Sequence, residues 1–385
     1  MIIRGFNSDN LCGINVDNPR ILETCDELSA VKEIHFEDIP FNTFNHDLFA
    51  KCSSTITLEL HNVSLSNVSA CLFKGMSSLQ SLSLNNNLIK ILNNETFGDM
   101  PDLRRIFVNN NVISSIGEDS FKRLRNLRAV YITHNSLDKV DKYAFPADNR
   151  LTWLDFSNNH LKRLNFIQNL HSLKTLYLPF NKIKRLENDT FLNLVELEYL
   201  DLKYNLIEEL PTNLFRTQKR LQEIDLSHNR LVQIETGTFG IGFSTLLLND
   251  NKLAIIAVFN DIAEVNIAGN NLRQLSALPT NNVTLTIDKN PWECQFIHQV
   301  TNQRNINLKY TSNNETKNLR GIPCNDTLKE KKILPKSIIF EERKYMRRIS
   351  DNNFGEADTG YLTPMRCAEP EHIYEEIDHY TQSPV

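Results

Sequence analysis

The chain has 385 residues, of which 41% are hydrophobic and 23% are charged, and its formal net charge is −5. The length allows about two or three domains and the apolar share allows a sizeable core, while the negative charge argues against a general nucleic-acid-binding protein. No run of about 18 apolar residues occurs, so no segment is expected to cross a membrane as a helix. Glycine is scarce, with 12 residues, which disfavours phosphate-binding loops.

The N-terminal segment, residues 1–30, precedes any regular pattern and contains Cys12 and Cys25. Its first residues, MIIRGFNSDNLCG, have no apolar core long enough for a secretory signal. Either the sequence lacks the leader of a secreted protein, or the chain is not secreted by the usual route. We favour the first interpretation, because paired cysteines indicate an oxidising compartment.

A repeat follows, in which the pattern L-x-x-L-x-L-x-x-N-x-L recurs mostly every 24 or 22 residues. It matches at Leu79–Ile89, Leu103–Ile113, Leu127–Leu137, Leu151–Leu161, Leu173–Ile183, Leu197–Ile207, Leu221–Leu231 and Phe243–Leu253. Weaker copies surround Asn270 and Asn290, and two degenerate copies precede the series, with Ile39 and Val63 at the asparagine position. The series predicts about 12 structural repeats.

Each copy predicts one short strand, because alternate side chains of a strand point to opposite faces. The leucines face inward, and a strand this short cannot bury its own apolar face, so successive coils must stack into a parallel sheet. The recurring asparagine stands where the chain leaves the strand. A buried amide there can satisfy backbone groups of its own coil and of the neighbouring coil.

A second row of residues has the same period. A phenylalanine follows most of the asparagine positions by ten residues, at Phe49, Phe73, Phe97, Phe121, Phe145, Phe191, Phe215 and Phe239. These rings are expected to form a second row of core on the convex side of the sheet. Position 169 lacks the phenylalanine, and its 22-residue copy is predicted to have lost that side of its coil.

Segments such as LQSLSLNNNLIKILNNETF and LEYLDLKYNLIEELPTNLF resemble the 24-residue repeats of extracellular leucine-rich-repeat proteins. The resemblance covers residues 31–292. It implies an α/β leucine-rich-repeat solenoid, a horseshoe with a parallel sheet on its concave face, closed by cysteine caps. Such folds do not by themselves specify a ligand.

The resemblance extends to both ends of the repeats. The pair Cys12 and Cys25, in residues 1–30, resembles the N-terminal cysteine cap of this family. The run Asn290-Pro291-Trp292-Glu293-Cys294 resembles the start of its C-terminal cap, assigned to residues 293–330, which implies that Cys324 is the partner of Cys294. The family usually has four cysteines in that cap, so this cap is abbreviated.

Between the caps, Cys52 and Cys71 lie on neighbouring coils; they can pair across the convex side or remain two small buried thiols. Seven N-x-S/T sequons agree with an extracellular chain. They are Asn62, Asn67, Asn94, Asn188, Asn282, Asn314 and Asn325. Asn62 occupies a strand-exit position, and its glycan is predicted to shield the N-terminal part of the concave face.

Residues 331–385 form a basic and then acidic tail that is predicted to be disordered. Within it, Tyr374-Glu375-Glu376-Ile377 resembles the phosphotyrosine ligand of SH2 domains and fits a Y-x-x-Φ sorting signal, while the C-terminal Ser383-Pro384-Val385 weakly resembles a PDZ ligand. The alternative is a solvated acidic tail with incidental tyrosines. Cys367 is left without a local partner.

Motifs of catalysis and metal binding do not account for this sequence. It has no H-E-x-x-H, G-x-S-x-G or G-x-x-x-x-G-K-[ST] pattern. His61, His134 and His228 fall on strand-exit positions two or more repeats apart, too far for a shared metal. No catalytic residue, metal or cofactor is therefore predicted.

Aromatic residues at outward-facing strand positions indicate where a partner binds. Phe107, Tyr131, Trp153, Tyr177 and Tyr199 concentrate in the middle repeats, and exposed aromatics on a rigid sheet carry interface energy. Asp201 and Asp225 make the C-terminal half of this face acidic, so they are expected to steer a basic region of the partner. The alternative is that scattered surface aromatics have no partner.

Two functions fit these features. The first is a non-enzymatic extracellular recognition protein that binds a protein through its concave face. It resembles insect leucine-rich-repeat immune proteins and toll-like-receptor ectodomains, and this resemblance implies a role in innate immunity. The second is a cell-surface signalling or adhesion receptor whose membrane span is missing from this chain and whose tail binds an SH2-domain protein.

Overall fold

The computed structural model describes residues 2–4 (backbone only), 31–38, 49, 52–98, 100–239, 242–257, 261–311 and 318–325. The chain divides into two units, Met1–Thr327 and Leu328–Val385, and the described residues belong to the first. Cys12, Cys25, Cys367, Asn314 and Tyr374 lie outside the described residues, so the predictions made for them remain predictions.

The described coils build one parallel sheet of fourteen strands, paired in chain order. The strands are β1 (Ile2–Arg4), β2 (Glu33–Glu37), β3 (Thr57–His61), β4 (Ser81–Ser83), β5 (Arg105–Phe107), β6 (Ala129–Tyr131), β7 (Trp153–Asp155), β8 (Thr175–Tyr177), β9 (Tyr199–Asp201), β10 (Glu223–Asp225), β11 (Thr245–Leu247), β12 (Glu264–Asn266), β13 (Val283–Thr286) and β14 (Ile306–Lys309). The predicted parallel solenoid of leucine-rich repeats is confirmed.

Smaller elements lie on the rest of each coil. Five two-residue strands form separate parallel sheets, Ile91–Leu92 with Ser115–Ile116 and Lys139–Val140, and Gln233–Ile234 with Ile255–Ile256. An antiparallel pair, Asn318–Leu319 and Ile322–Pro323, follows the helix α1 (Cys294–Val300). Within the described residues, 3₁₀ helices span Ala70–Phe73 and Asn165–Asn169.

The core follows from the alternation of the strands. The middle residue of each three-residue strand points inward and is fully buried, as for Leu82, Ile106 and Leu154. The first and last residues point away from the core and form what we call the outer face. Because the pairing keeps one register from β2 to β14, every column of residues in the repeat becomes a physical row across the sheet.

The recurring asparagines are buried and hydrogen bonded as predicted. Asn111 donates from Nδ2 to the carbonyl of Leu84 on the preceding coil, at 2.9 Å, and its Oδ1 accepts the N–H of Ile89, at 3.0 Å. The same cross-coil pattern recurs at Asn87, Asn135, Asn159, Asn181, Asn205, Asn229, Asn251, Asn270 and Asn290. Each amide therefore satisfies backbone groups of two coils that would otherwise be orphaned.

Neighbouring phenylalanines of this row stack from Phe97 to Phe145 and from Phe191 to Phe239. Ring centroids of Phe121 and Phe145 are 4.7 Å apart, and those of Phe191 and Phe215 are 5.4 Å apart. The prediction that the 22-residue coil has lost the convex side, where the phenylalanines lie, is wrong. The 3₁₀ helix Asn165–Asn169 fills it, because Phe166 is buried and its ring lies 5.7 Å from that of Phe156.

The cysteines give one confirmation and one correction. The Cys294–Cys324 disulfide is present, beside Trp292, which is buried and donates its indole N–H to the Ile287 carbonyl at 2.8 Å. The predicted Cys52–Cys71 disulfide is wrong, since both residues are free thiols. Cys52 packs into the core, whereas Cys71 faces solvent from the first 3₁₀ helix, so the two thiols lie in different environments.

Candidate functional site

The sequence-predicted aromatic residues lie together on the outer face. The register aligns Phe107 with Tyr131 in one row, and Trp153 with Thr175 and Tyr199 in the other. Tyr177 belongs to the first row, where Asp155 separates it from Tyr131. Neighbouring strands are about 4.8 Å apart, so these side chains are within contact distance of one another.

Four of the rings form a continuous series that we call the aromatic ladder: Phe107, Tyr131, Trp153 and Tyr177. Phe107 and Tyr131 stack in parallel with centroids 4.6 Å apart. Trp153 crosses from the other row, with its centroid 6.1 Å from that of Tyr131 and 5.3 Å from that of Tyr177. The rings are half-buried by one another, so the ladder is held in place before any partner arrives.

Tyr199 extends this surface beyond the ladder. Its side chain is 37% exposed, and its hydroxyl donates to Gln222 Oε1 at 2.7 Å. Tyr199 makes no ring contact with the ladder among the described residues. It therefore lies on the same face as a separate aromatic side chain, fixed by its own hydrogen bond.

Three groups within the ladder can make specific polar contacts. The indole N–H of Trp153 is buried and has no acceptor among the described residues, which is a costly arrangement for a polar group. Burial raises the pKa of the Tyr131 hydroxyl, and Asp155 raises it further while Arg105 lowers it. Burial also raises the pKa of Tyr177, with further increases from Asp201, Glu223 and Asp155. Both phenols are therefore neutral donors at physiological pH.

Asp201 and Asp225 lie at outer-face positions, but their carboxylates are turned to the loop that follows each strand. Asp201 accepts the backbone N–H of Lys203 at 2.9 Å, and Asp225 accepts the N–H and the hydroxyl of Ser227 at 2.9 and 2.6 Å. Lys203 Nζ lies 2.8 Å from Asp201 and 3.7 Å from Asp225. Both carboxylates are more than nine-tenths buried as residues, so they present little free negative charge to a partner.

In the cluster of Asp201, Asp225 and Lys203, burial acts on the pKa values against the hydrogen bonds and ion pairs. Burial raises the pKa of Asp201, while hydrogen bonds from Lys203 oppose the rise and the charge of Asp225 adds to it. Burial lowers the pKa of Lys203, but its contacts with Asp201 and Asp225 outweigh this and raise it. Sequence reasoning missed Lys203 because it placed the aspartates by column, without the side chain that reaches between them.

A second aromatic group, which we call the exit stack, lies at the edge of the sheet where the chain leaves the strands. It consists of Phe180, Tyr204 and His228, whose successive centroids are 4.3 and 4.1 Å apart. Phe180 and Tyr204 are 46% and 41% exposed. All three residues have a φ between 53° and 55°.

That backbone conformation is demanded by the repeat. The residue before each buried asparagine adopts a positive φ, and other coils place Asn, Asp, His, Gly or Lys there, as at Asn110, His134, Asp250, Gly269 and Lys289. A large aromatic residue with a positive φ is sterically strained by about 1–3 kcal/mol. The sequence showed that Phe180 and Tyr204 follow strands, but the positive φ could not be read from the pattern.

The six sequon asparagines within the described residues all lie at exposed positions: Asn62, Asn67, Asn94, Asn188, Asn282 and Asn325. Asn62 has the positive φ of the strand-exit edge and donates to Asp38 Oδ1 at 2.7 Å. It therefore shares an edge with the exit stack, several coils nearer the N-terminus. Glycosylation of these residues remains a prediction.

The histidines are not gathered into a metal site within the described part of the chain, which contains no cluster of three or more His, Cys, Asp or Glu side chains able to hold a metal. His61 instead lies 2.6 Å from the Ser83 hydroxyl, and His228 lies 3.4 Å from Asp250. The helices in the same residues include none long and apolar enough to cross a membrane.

Two family models match the chain in this region. A leucine-rich-repeat model matches residues 125–183, 171–231 and 197–253, and a model of BspA-type leucine-rich-repeat regions matches residues 23–152. No curated protein sequence matches the chain. The chain belongs to the leucine-rich-repeat proteins.

Solved structures share this fold at low sequence identity. A chain of the octameric complex of Latrophilin 3, Unc5D and FLRT2, to which FLRT2 contributes leucine-rich repeats, has a TM-score of 0.59 and 24% identity, covering 70% of this chain and 88% of that one. The leucine-rich-repeat domain of APL1B has a TM-score of 0.59 and 18% identity, covering 83% and 100%.

The Drosophila Toll–Spätzle complex contains a third similar chain, with a TM-score of 0.50 and 17% identity. The match covers 83% of the present chain, which spans 56% of the length of that chain. The fold is thus similar to that of the leucine-rich-repeat chains in these structures. Identities this low show the fold alone.

Proposed function

We propose that this protein is a non-enzymatic extracellular recognition protein that binds a protein partner through the outer face of its sheet, the face predicted to be concave. The observation that carries the proposal is the aromatic ladder of Phe107, Tyr131, Trp153 and Tyr177. Aromatic side chains are enriched among the residues that dominate interface energies. Tyr199 extends the binding surface on the C-terminal side of the ladder.

The ladder is suited to binding because it is organised in advance. Each ring contacts at least one neighbouring ring of the ladder, with centroids 4.6–6.1 Å apart, so little side-chain entropy is lost when a partner is bound. None of its members points into the core, and the strands that carry it are fixed by the buried asparagines. A glycan on Asn62 would cover the N-terminal part of the same sheet and leave the ladder clear.

The likeness to APL1B and to the Drosophila Toll–Spätzle complex, described as a hub of development and innate immunity, supports a role in immune recognition. Cell-surface signalling or adhesion is the second candidate, favoured by the tail sequence HIYEEI around Tyr374. A Tyr374 phosphopeptide that binds Src-type SH2 domains more tightly than its unphosphorylated form supports that candidate.

The experiment for the first candidate compares two substitutions in the aromatic ladder with a control substitution of an exposed tyrosine away from the outer face. Trp153→Ala and Tyr177→Ala should each weaken partner binding by about 2 kcal/mol or more, because truncated anchor residues dominate interface energies. Binding is measured by titrating partners captured from the extracellular fluid of the source organism. Tyr143→Ala is the control, since Tyr143 is 53% exposed and lies beyond the short strand Lys139–Val140.

Far-ultraviolet circular dichroism verifies that the three variants remain folded. Partners retained by Trp153→Ala and Tyr177→Ala but lost by Tyr143→Ala would place the binding site elsewhere.

A further inference from the structure

The charge beside the aromatic ladder is distributed unevenly. The residue preceding each strand forms its own row along the edge where the strands start: the N–H of Arg128 donates to the Arg104 carbonyl, that of Thr152 to Arg128, and that of Lys174 to Thr152, each at 2.9 Å. Arg104 and Arg128 are therefore direct neighbours, about 4.8 Å apart along the sheet. Arg105 and Arg150 flank them, Arg150 donating to Asn126 Oδ1 at 3.2 Å.

We call Arg104, Arg105, Arg128 and Arg150 the basic edge. All four side chains are exposed, and no carboxylate among the described residues lies within 4.0 Å of their guanidinium groups. Asp102 lies in the same turn as Arg104, Asp148 lies in the same turn as Arg150, and both are exposed, so the edge is not free of acidic residues. Four cations against these two carboxylates still leave a positive surface.

The coils that follow have compensated charges. Lys174 pairs with Glu198 at 2.8 Å, Arg220 pairs with Glu196, and Lys203 pairs with Asp201. The carboxylates of Asp201 and Asp225, which the sequence placed on this face, are thus satisfied within the molecule. The positive charge left for a partner is that of Arg105 on β5 and of the turns that lead into β5, β6 and β7.

The basic edge and the aromatic ladder form one continuous surface. Arg105 and Phe107 are the two outward residues of β5, on either side of the buried Ile106. The charge of Arg105 also acts on the Tyr131 hydroxyl, whose pKa it lowers against the effect of burial. A chain crossing β5 and β6 would therefore meet guanidinium groups and aromatic rings together.

We propose that the basic edge binds an acidic segment of the protein partner, whose carboxylates pair with Arg104, Arg105 and Arg128 while its apolar side chains lie on the aromatic ladder. This rests on the proposed function and gives the partner an acidic rather than a basic contact region. Guanidinium groups bind carboxylates in a bidentate geometry, which fixes orientation as well as sign. A peptide is the occupant because its carboxylates can pair with the arginines while its apolar side chains cover the rings that adjoin them.

The test uses three synthetic peptides of about 10 residues, long enough when extended to span about 30 Å, more than the width of the ladder. One interleaves glutamate with tyrosine and glycine, the second replaces glutamate by lysine, and the third by glutamine. A heparin oligosaccharide is the fourth probe. Binding is read from the fluorescence of Trp153, because the other tryptophan, Trp292, is 1% exposed in the C-terminal region.

The variants change charge without touching the ladder. The double variant Arg105→Glu, Arg128→Glu should weaken binding of the glutamate peptide about tenfold or more, corresponding to about 1.4 kcal/mol. The control is Lys90→Glu, Lys139→Glu, which has the same net charge at exposed positions on or beside the short strands; it should change binding by less than about twofold. Raising the salt from about 0.01 to about 1 M should remove the difference, since the Debye length falls from about 30 to about 3 Å.

Several results would overturn the proposal: no measurable binding of the glutamate peptide, equal or tighter binding of the lysine peptide, or heparin binding that exceeds the glutamate peptide and survives Trp153→Ala. The two proposals fail separately. If Trp153→Ala, monitored by fluorescence anisotropy of a labelled peptide, weakens binding while the arginine variant does not, the acidic contact is wrong and the aromatic face stands. If only the arginine variant weakens binding, the aromatic face is wrong.

Discussion

At the scale of single residues, buried polar groups decide what the outer face offers to a partner. Asp201 and Asp225 lie at outer-face positions of their strands. Each carboxylate nevertheless accepts a backbone hydrogen bond from the loop after its strand and forms an ion pair with Lys203. The position of a residue in the repeat determines which face its side chain leaves from. The groups that the side chain contacts depend on the length and charge of its neighbours, including those of the next coil. The steering of a basic partner, expected from the sequence, therefore has little free charge to support it.

Lys203 is the counter-charge of both aspartates, so its removal should be costly at neutral pH. Lys203→Met keeps the side-chain stem and should lower the free energy of unfolding by about 1–3 kcal/mol. Lys252→Met, at an exposed lysine without an ion pair among the described residues, should stay within about 0.5 kcal/mol. Urea unfolding measures both variants.

The pH dependence follows from the sign of the Asp201 shift. Burial holds its pKa above the ordinary value of 3.8, so just above that pH the folded state binds more protons than the unfolded chain. Its contribution to stability is present at low pH and is lost as the pH rises through the folded pKa. Without Lys203 the pKa rises further, so the deficit of Lys203→Met should be largest at neutral pH and smallest near pH 4. An equal deficit at both pH values would contradict this assignment.

The free cysteines of the described residues, Cys52 and Cys71, should differ in reactivity. Burial raises the pKa of the Cys52 thiol to about 11, although a hydrogen bond with Thr55 opposes the rise, whereas Cys71 is exposed. Because the thiolate is the reactive form, iodoacetamide at neutral pH should modify Cys71 in the native protein and Cys52 only after unfolding. Peptide mass mapping gives the result directly. A Cys52–Cys71 linked peptide from the non-reduced protein would restore the disulfide hypothesis.

At the scale of elements, the period of the sequence predicts the register of the strands but not how every coil fills its core. The repeat aligns leucines, asparagines and outward residues because each coil must bury the same face against the next. The 22-residue coil departs from the rule, since its phenylalanine comes seven residues after Asn159 instead of ten. The 3₁₀ helix Asn165–Asn169 accommodates this shift and brings Phe166 into the core.

If Phe166 replaces the missing member of the phenylalanine row, its loss should cost as much as the loss of a regular member. Phe166→Ala and Phe121→Ala should each destabilise the protein by about 3–5 kcal/mol, the usual effect of removing a buried phenylalanine. Phe180→Ala removes an exposed ring and should cost clearly less. Thermal or urea unfolding compares the three. A cost for Phe166→Ala close to that of Phe180→Ala would show that this coil is loosely packed.

The positions of the site residues were predictable and their interactions were not. Column reading placed Phe107, Tyr131, Trp153 and Tyr177 on one face, because side-chain direction alternates along a strand regardless of context. The other features arise from side-chain conformations across several coils. Trp153 crosses between rows, its indole N–H has no acceptor among the described residues, and the arginines of the basic edge form no ion pair with a described carboxylate. The exit stack also required the backbone, since only the fold shows that Phe180 and Tyr204 adopt a positive φ.

At the scale of the whole molecule, the repeat makes the outer face a long series of nearly independent rows, in which each coil contacts mainly its neighbours. Substitutions on one row should therefore leave distant rows intact, which makes local tests of binding possible. The aromatic ladder and the compensated pairs of the later coils divide the face into segments with different chemistry, and the glycan predicted at Asn62 would mark a third segment. The middle segment is where we place the partner.

The most direct test of that placement is hydroxyl-radical footprinting of the protein with and without its partner, read by mass spectrometry. Bound partner should protect the half-buried side chains of Phe107, Tyr131, Trp153 and Tyr177 from oxidation, while exposed Tyr143 reacts equally in both states. Protection of Tyr143 with unchanged oxidation of the aromatic ladder would show that the partner binds away from the outer face and would contradict the central claim.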